Sequence, residues 1–235
     1  GASWFAQAAL LQGVRAELRD VPRSCESTAG EIVSRGPMSH SCAVLLIASD
    51  ALTCSVGLGE QVDRAPREAG RQAASTAMRE FAAATRVGVL VFGDCLVTNF
   101  GDVLRGIQEI VGTSALIVGG LAGDDLDFTK TYQYCNHRVV SQAVVGVLIG
   151  GPVKIGVGID HGFAPISKPR RITRSQANIL YELDRQPAAS VYEEYLGHEV
   201  VQRMQREGLS RLGIAYPLGI QGETTEDWLL RTVVS

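Results

Sequence analysis

Residues 146–162 read GVLIGGPVKIGVGIDHG, and this stretch predicts a β-hairpin. Its first limb is an apolar run that ends at Gly150-Gly151-Pro152, where glycine and proline supply the turn geometry. In the second limb Val153, Ile155, Val157 and Ile159 alternate with Lys154 and with glycines. One face of this limb is therefore apolar and the other is almost bare, so that a helix or a ligand can approach the backbone closely.

The hairpin has a counterpart earlier in the chain, at about Ser41–Gly59. Three pieces match in the same order: Ala29-Gly30-Glu31 with Ala122-Gly123-Asp124, Leu46–Ser49 with Leu148–Gly151, and Cys54–Leu58 with Ile155–Ile159. Short apolar strands and Ala-Gly pairs can also match by chance. The order of the pieces favours an internal duplication, with related halves at residues 1–86 and 87–196.

The composition is that of an ordinary globular protein, with 235 residues, 46% hydrophobic residues and a net charge of −3. No long basic run stands out in the chain, so the long-range attraction to phosphate on which nucleic-acid binding depends is missing. No apolar run approaches the ~20 residues of a membrane-spanning helix. The five cysteines are widely spaced and contain no Cys-x-x-Cys pair, which suits a reducing cytoplasm.

Helical and extended patterns alternate along most of the chain, which predicts an α/β fold with mixed sheets and packed helices. A strand at Val87–Phe92, a helix at about Gly101–Val111 and a strand at Ala115–Val118 favour a parallel strand pair. Tyr132–Val140, with a turn at Asn136-His137, leads into the opening hairpin. The other predicted elements are helices at Trp4–Arg19, Pro66–Thr85, Pro187–Tyr195 and Glu199–Arg206, a strand at Asn178–Asp184, and an irregular segment from Tyr216 onward.

The loop Gly119–Asp125 follows the second strand of the parallel pair, and open α/β sheets usually bind ligands at that end. The loop lacks both the Gly-x-Gly-x-x-Gly pattern and the Lys-Ser/Thr pair of phosphate-binding loops, and Asp124 and Asp125 would repel an anion. A nucleotide is therefore not the expected ligand.

Five pieces of the chain, in this order, resemble the FIST sensory family, which is attached to bacterial signalling proteins and to some eukaryotic F-box proteins. They are Ser27–Ile32, Val118–Asp124, the hairpin, His161-Gly162 with Pro165, and Leu183-Asp184 with Pro187-Ala188. The chain departs from the family pattern at Ser24-Cys25-Glu26-Ser27, where the family looks more like Gly-Cys-Ser-Thr. By the same resemblance, residues 197–235 are only the start of the family's C-terminal portion.

The resemblance implies a cytoplasmic module that binds a small molecule, such as an amino acid or a similar metabolite. The module would relay binding to an output partner such as a histidine kinase or a cyclic-dinucleotide enzyme. Some relatives are described as haem-binding nitric oxide sensors, which is one alternative. A scaffold that docks a protein and binds no ligand is another.

The expected ligand contacts lie in the loops of both halves: Thr28, Gly30, Glu31, Gly120, Asp124, Asp125 and Arg171. Carboxylates can hold the ammonium group of an amino acid, and an arginine of the run Arg170, Arg171 or Arg174 can hold its carboxylate through a bidentate pair. The other reading is structural, with Thr28, Asp124 and their neighbours satisfying backbone groups of the turns.

For a haem sensor, His161 is the best-placed axial ligand, because haem iron needs a ligand such as histidine in an apolar pocket. The alternative is a loop histidine that caps a strand or bonds Asp160. Ser27 or Cys25 with His161 and an acid could be imagined as a catalytic triad, but no Gly-x-Ser-x-Gly elbow is present. We therefore expect no catalytic residues and no enzyme activity.

Overall fold

The computed structural model of the chain describes residues 1–18, 21–82, 85–97, 99–207, 210–222 and 228–233. They fall into a first unit, Gly1–Gly158, and a second unit, Ile159–Ser235. The first unit has helices α1 (Gln7–Glu17), α2 (Pro66–Glu80) and α3 (Phe100–Val111). Its strands are β1 (Ser24–Glu26), β2 (Glu31–Val33), β3 (Gly36–Met38), β4 (Thr53–Glu60), β5 (Arg86–Asp94), β6 (Leu116–Ala122), β7 (Gln133–Cys135), β8 (Arg138–Val140) and β9 (Ala143–Gly150).

A four-stranded sheet in the order β4-β9-β5-β6 carries the core of the first unit. Strands β5 and β6 are parallel and are joined through α3, as the strand-helix-strand pattern predicts. Strand β9 runs antiparallel to both of its neighbours, so the sheet is mixed. Apolar residues of β9 such as Val144, Val145 and Leu148 are buried, since this central strand is covered on both faces.

Helix α2 covers the sheet with a face of small residues that includes Ala69, Ala73 and Ala77. Small side chains let the helix approach β4 so closely that a β-carbon at Gly57 would lie 1.9 Å from the Ala73 carbonyl oxygen. The crossing of α2 with α3 is equally tight. A β-carbon at Gly106 of α3 would lie 2.0 Å from the carbonyl oxygen of Arg67 in α2.

Two small sheets complete the first unit. One has the order β1-β7-β8, with β7 and β8 joined by a turn at Asn136, whose φ is +53°. The predicted turn at Asn136-His137 is therefore confirmed. The other is the β2–β3 pair, which holds Ile32 opposite Pro37.

The second unit is described by itself. Its strands are β10 (Ile172–Gln176), β11 (Ile179–Leu183), β12 (Gln186–Pro187), β13 (Leu218–Gln221) and β14 (Trp228–Arg231). Its helices are α4 (Ser190–Leu196), α5 (His198–Glu207) and α6 (Ser210–Ala215). Strands β10, β11 and β12 form one antiparallel sheet, and β13 pairs with β14. The pairing of β13 with β14 corrects the expectation of an irregular segment from Tyr216 onward.

The prediction of a hairpin at residues 146–162 is only half correct. Its first limb is β9, but residues 153–159 form no strand ladder, and Val157 and Ile159 are exposed. In the hairpin predicted at Ser41–Gly59, the second limb is the strand and the first limb is not. The second limb is β4, whereas Val44, Leu45, Leu46 and Ile47 of the first limb are exposed and outside any strand. The two observed limbs, β4 and β9, pair with each other rather than within each hairpin.

The duplication is therefore not confirmed, because matching pieces of the two proposed halves have different structures. The division at residues 86 and 196 stays a prediction. The four-stranded sheet takes β4 from before residue 86 and β5, β6 and β9 from residue 86 onward. Two predicted helices extend beyond the described residues. Arg19, the predicted end of the first helix, and residues 83 and 84 of the helix predicted at Pro66–Thr85 lie outside them.

Helix α3 offers a matched pair of glycines that tests the packing of α2 on α3. Gly106→Ala places a methyl group against the Arg67 carbonyl, and we expect it to lower the free energy of unfolding by about 1–3 kcal/mol or more. Gly101 has no such neighbour, since its nearest atom would be 3.5 Å from the β-carbon. Gly101→Ala should therefore be neutral or stabilising by up to about 1 kcal/mol.

Urea denaturation of the two variants and the wild type measures these differences. Equal stability of Gly106→Ala and Gly101→Ala would contradict the close crossing of the helices.

Candidate functional site

The two turns that the sequence singles out as related lie against each other in the first unit. Ser27 and Gly123 exchange two hydrogen bonds: the Gly123 amide donates to the Ser27 carbonyl (2.9 Å), and the Ser27 hydroxyl donates to the Gly123 carbonyl (2.7 Å). Ser27 is completely buried, and its hydroxyl also accepts from the Tyr132 amide (2.9 Å). We call residues 26–31 and 119–125 together the corner site.

The corner site lies at the carboxyl ends of the parallel strands β5 and β6. Strand β5 ends at Asp94, and β6 ends at Ala122, directly before Gly123. Gly119, Gly120 and Leu121 are exposed on β6, which is an edge strand of its sheet. Thr28, Gly120 and Asp124 lie at this end of the sheet, and their role in ligand binding stays a prediction.

Glu31 is buried and already has partners. It accepts hydrogen bonds from the hydroxyls of Thr28 (2.5 Å) and Ser41. Burial alone would raise the pKa of Glu31, but the hydrogen bonds from Ser41 and Thr28 outweigh it and lower the pKa. Gly30, between Thr28 and Glu31, has a φ of +140°, in which a side chain would be strained.

The two acidic residues of the second turn also use their oxygens within the protein. Asp124 is buried and accepts from the amides of Phe128 (3.0 Å), Thr129 (2.6 Å) and Lys130 (3.0 Å). Asp125 accepts from the amide and from the hydroxyl of Ser3, both at 2.9 Å. These contacts are those of the structural alternative, in which the side chains satisfy polar groups of the turns.

Glu26 is the carboxyl group that the sequence reasoning missed. Its Oε2 atom is buried and has no hydrogen-bond partner among the described residues. Its Oε1 atom faces Gly120, because a β-carbon at Gly120 would lie 3.4 Å from it. Ser24 Oγ is also buried without such a partner, and residues two apart on β1 share a face. The departure from the family pattern at Ser24–Ser27 is the sequence signal that could have pointed to Glu26.

The electrostatic environment at this end of the sheet is negative. Burial raises the pKa of the Cys95 thiol to about 11, and the nearby carboxylates of Asp94, Asp124 and Glu26 add to this rise. Burial likewise raises the pKa of Glu26 from its ordinary 4.5 to about 7. The positive charge of the Gly1 amino group opposes this rise in the pKa of Glu26 in part.

The remaining predicted contacts lie in the second unit. Arg170 forms an ion pair with Glu194 (2.5 Å), and Arg174 forms one with Glu182 (3.7 Å). The Arg171 side chain is exposed, and within the described part of the chain it forms no ion pair, although its amide donates to Asp184 (2.9 Å). Arg171 as the partner of a ligand carboxylate stays a prediction.

His161 does not have the surroundings of a haem ligand. The residue is exposed, its Nδ1 accepts from the Phe163 amide (3.3 Å), and its Nε2 lies 3.2 Å from the Trp228 carbonyl oxygen. Both ring nitrogens are therefore engaged, with Nε2 as the donor. Among the described residues no set of three or more His, Cys, Asp or Glu is arranged to hold a metal ion. His161 as an iron ligand and haem as a cofactor stay predictions from the resemblance. The exposed and hydrogen-bonded imidazole of His161 does not fit the role of an axial haem ligand.

Ser27 and Cys25 show no arrangement for nucleophilic catalysis. The Ser27 hydroxyl is buried between Gly123 and Tyr132, and burial raises the pKa of the Cys25 thiol, which keeps it from being an active thiolate.

No described helix combines the length and the apolar character that crossing a membrane would require.

Comparison with known proteins gives a family match and a distant relative. The family model described as the FIST N domain matches residues 2–186. Uncharacterized protein MJ1623 of Methanocaldococcus jannaschii is 28% identical to the chain over 189 residues, which cover 75% of this chain and 37% of the relative. The chain thus spans well under half of that relative. No solved structure matches the chain.

The buried carboxyl of Glu26 makes a specific prediction for stability against pH. Because its pKa is about 7 in the folded protein and near 4.5 when unfolded, the folded protein binds the proton more tightly. This contribution to stability is complete below about pH 4.5 and is lost as the pH rises through about 7.

The Glu26→Gln variant lacks this contribution. We expect its stability relative to the wild type to increase from pH 4.5 to about pH 7 and then to level off, as measured by urea denaturation at a series of pH values. Parallel pH curves for the two proteins would show that the Glu26 carboxyl is not buried as described.

Proposed function

Because the chain belongs to the FIST family, a family of sensory domains in signal transduction, we propose that it senses an amino acid or a similar metabolite at the corner site. The observation that carries the proposal is the contact between the two turns. Ser27 and Gly123 bring Thr28 and Glu31 next to the β6 turn, with the exposed Gly119-Gly120 pair alongside.

Three properties of the corner site support this proposal. It lies at the carboxyl ends of parallel strands, where open α/β sheets bind ligands. Gly120 carries no side chain, so a ligand can approach the backbone closely. Glu26 and Ser24 each have a polar atom without a partner among the described residues, and buried polar atoms are normally paired.

The signal then passes to an output protein in the cytoplasm, such as a histidine kinase or a cyclic-dinucleotide enzyme. The family assignment and the absence of nucleophile geometry at Ser27 support a regulatory rather than a catalytic role. Binding that favours one conformation of the module over another is sufficient to transmit such a signal.

One observation favours a second candidate function, the docking of a protein partner without a ligand. The consecutive apolar residues Val44, Leu45, Leu46 and Ile47 are 58%, 83%, 63% and 66% exposed. Contiguous exposed apolar residues often mark interaction sites. This candidate predicts no response of the protein to small metabolites.

A thermal-shift assay with the twenty standard amino acids separates the two functions. We expect at least one amino acid at millimolar concentration to raise the Tm in a concentration-dependent way, since a ligand that binds only the folded state stabilises it. Isothermal titration calorimetry then gives the Kd. No rise in Tm and no heat of binding for any amino acid would overturn metabolite sensing and leave the docking function.

Absorption spectroscopy tests the haem alternative. Because both ring nitrogens of His161 are engaged, we expect the spectrum after addition of haem to be the same for the wild type and His161→Ala. A Soret band that is shifted or lost in His161→Ala would contradict this and would support haem-based sensing.

A further inference from the structure

The acidic side chains in and next to the corner site differ in how many hydrogen bonds they already accept from the protein. Glu31 accepts from two hydroxyls, Asp124 from three amides, and Asp125 from Ser3 twice. Asp94, which lies at the end of β5 next to the corner site, accepts from the amides of Leu96 (2.9 Å) and Gln142 (3.2 Å). These four carboxylates are therefore largely occupied by the protein itself.

Glu26 is different, because its Oε2 atom is buried without a partner among the described residues. It is unfavourable to ionise a carboxyl group that has an oxygen removed from water without a hydrogen bond, so a native protein pairs such a group, protonates it or supplies a ligand. Ser24 Oγ, on the same face of β1, shares this lack of a partner. Both of these unpartnered oxygen atoms thus lie on one short strand, β1.

Gly120 provides the approach to Glu26. The residue is exposed on the edge strand β6, and Glu26 Oε1 lies 3.4 Å from the place that a β-carbon would take. No side chain at position 120 therefore stands between solvent and this carboxyl oxygen. The carboxylates of Asp94 and Asp124 act together with Glu26 on Cys95, and the Gly1 amino group acts on Glu26 as a nearby positive charge.

We propose that the Glu26 carboxylate, beside Gly120, binds the primary ammonium group of the ligand, so that the corner site recognises amines. The assignment rests on the proposed function. An ammonium group donates up to three hydrogen bonds from one nitrogen, and Glu26 Oε1 beside Gly120 is the acceptor that this site offers to it. Of the carboxylates that the sequence favours for this role, Asp124 accepts from amides of its own loop, Asp125 from Ser3, and Glu31 from Thr28 and Ser41.

The protonation of Glu26 agrees with this role. With a pKa of about 7, the free carboxyl is partly protonated at neutral pH, and a bound cation next to it favours the ionised form. Binding of an ammonium group therefore stabilises the charge that burial opposes.

The test compares three probes that differ by one charged group. They are the amino acid that binds most tightly in the thermal-shift panel, the amine that lacks its carboxylate, and the acid that lacks its ammonium. For alanine these are alanine, ethylamine and propionate. We expect the amine to compete with the amino acid in calorimetric titrations and the acid not to compete.

Glu26→Gln keeps the shape of the side chain but removes its charge. We expect it to weaken amino-acid binding about tenfold or more, which is the loss of one charge-assisted hydrogen bond. Gly120→Val, which keeps the charge but places methyl groups beside Glu26 Oε1, should also abolish binding and serves as the second variant if Glu26→Gln does not fold. Asp50→Asn, at an exposed position outside the corner site, is the control and should bind like the wild type.

The outcomes separate this proposal from the proposed function. If an amino acid binds the wild type, Glu26→Gln and Gly120→Val equally well, or if propionate competes and ethylamine does not, the Glu26 assignment is overturned while metabolite sensing stands. If no amino acid binds the wild type, both are overturned.

Discussion

The hydrogen bonds between Ser27 and the chain around Gly123 are the constraint on which the rest of the corner site depends. A fully buried hydroxyl donates to the Gly123 carbonyl and accepts from the Tyr132 amide, while the backbone of Ser27 pairs with both segments. The contact is close, because a β-carbon at Gly123 would lie 2.9 Å from the Ala29 amide nitrogen. Glycine at position 123 therefore allows the two turns to touch, and serine at position 27 joins them.

This constraint determines which side chains are available for binding. The turn after β6 is held by Asp124, whose carboxylate accepts hydrogen bonds from three successive backbone amides of the same loop. The turn after β1 is held in a similar way by Glu31 with Thr28 and Ser41. Glu26 precedes the joined turns and takes no part in holding them, and its carboxyl is left beside Gly120. The same packing that forms the site thus leaves one buried carboxyl oxygen, Glu26 Oε2, without a partner among the described residues.

Local patterns were enough to predict the parts of the fold that depend on neighbours in sequence. The parallel β5–β6 pair with α3 between them, the turn at Asn136 and the helix that begins at Pro66 all follow from the spacing of apolar residues and from turn residues. The fold class, α/β with mixed sheets, is confirmed for the same reason. Strand pairing was harder, because residues 43–48 and 153–159 have the pattern of strands but form no ladder. The strands β4 and β9, which are far apart in sequence, pair with each other instead, and a repeat in the sequence does not show which strands pair.

The sequence places loops with polar residues at the carboxyl end of β6, but it does not show the chemistry of these loops. Ligand-binding loops were expected at the carboxyl end of β6, and Thr28, Gly120 and Asp124 lie there. Sequence cannot show which acid is left without a hydrogen bond, because that depends on tertiary contacts such as those from Phe128, Thr129 and Lys130 to Asp124. Asp124 was therefore expected to bind a ligand ammonium, and Glu26 was overlooked.

The most direct test of this account is a ¹³C NMR titration of the Glu26 side-chain carboxyl carbon, with and without a saturating amino acid. The account predicts a midpoint near pH 7 in the free protein, because the group is buried, and a clear shift of the midpoint to lower pH when the ammonium of the ligand is bound. A midpoint near 4.5 in the free protein, or one that the bound amino acid leaves unchanged, would contradict it.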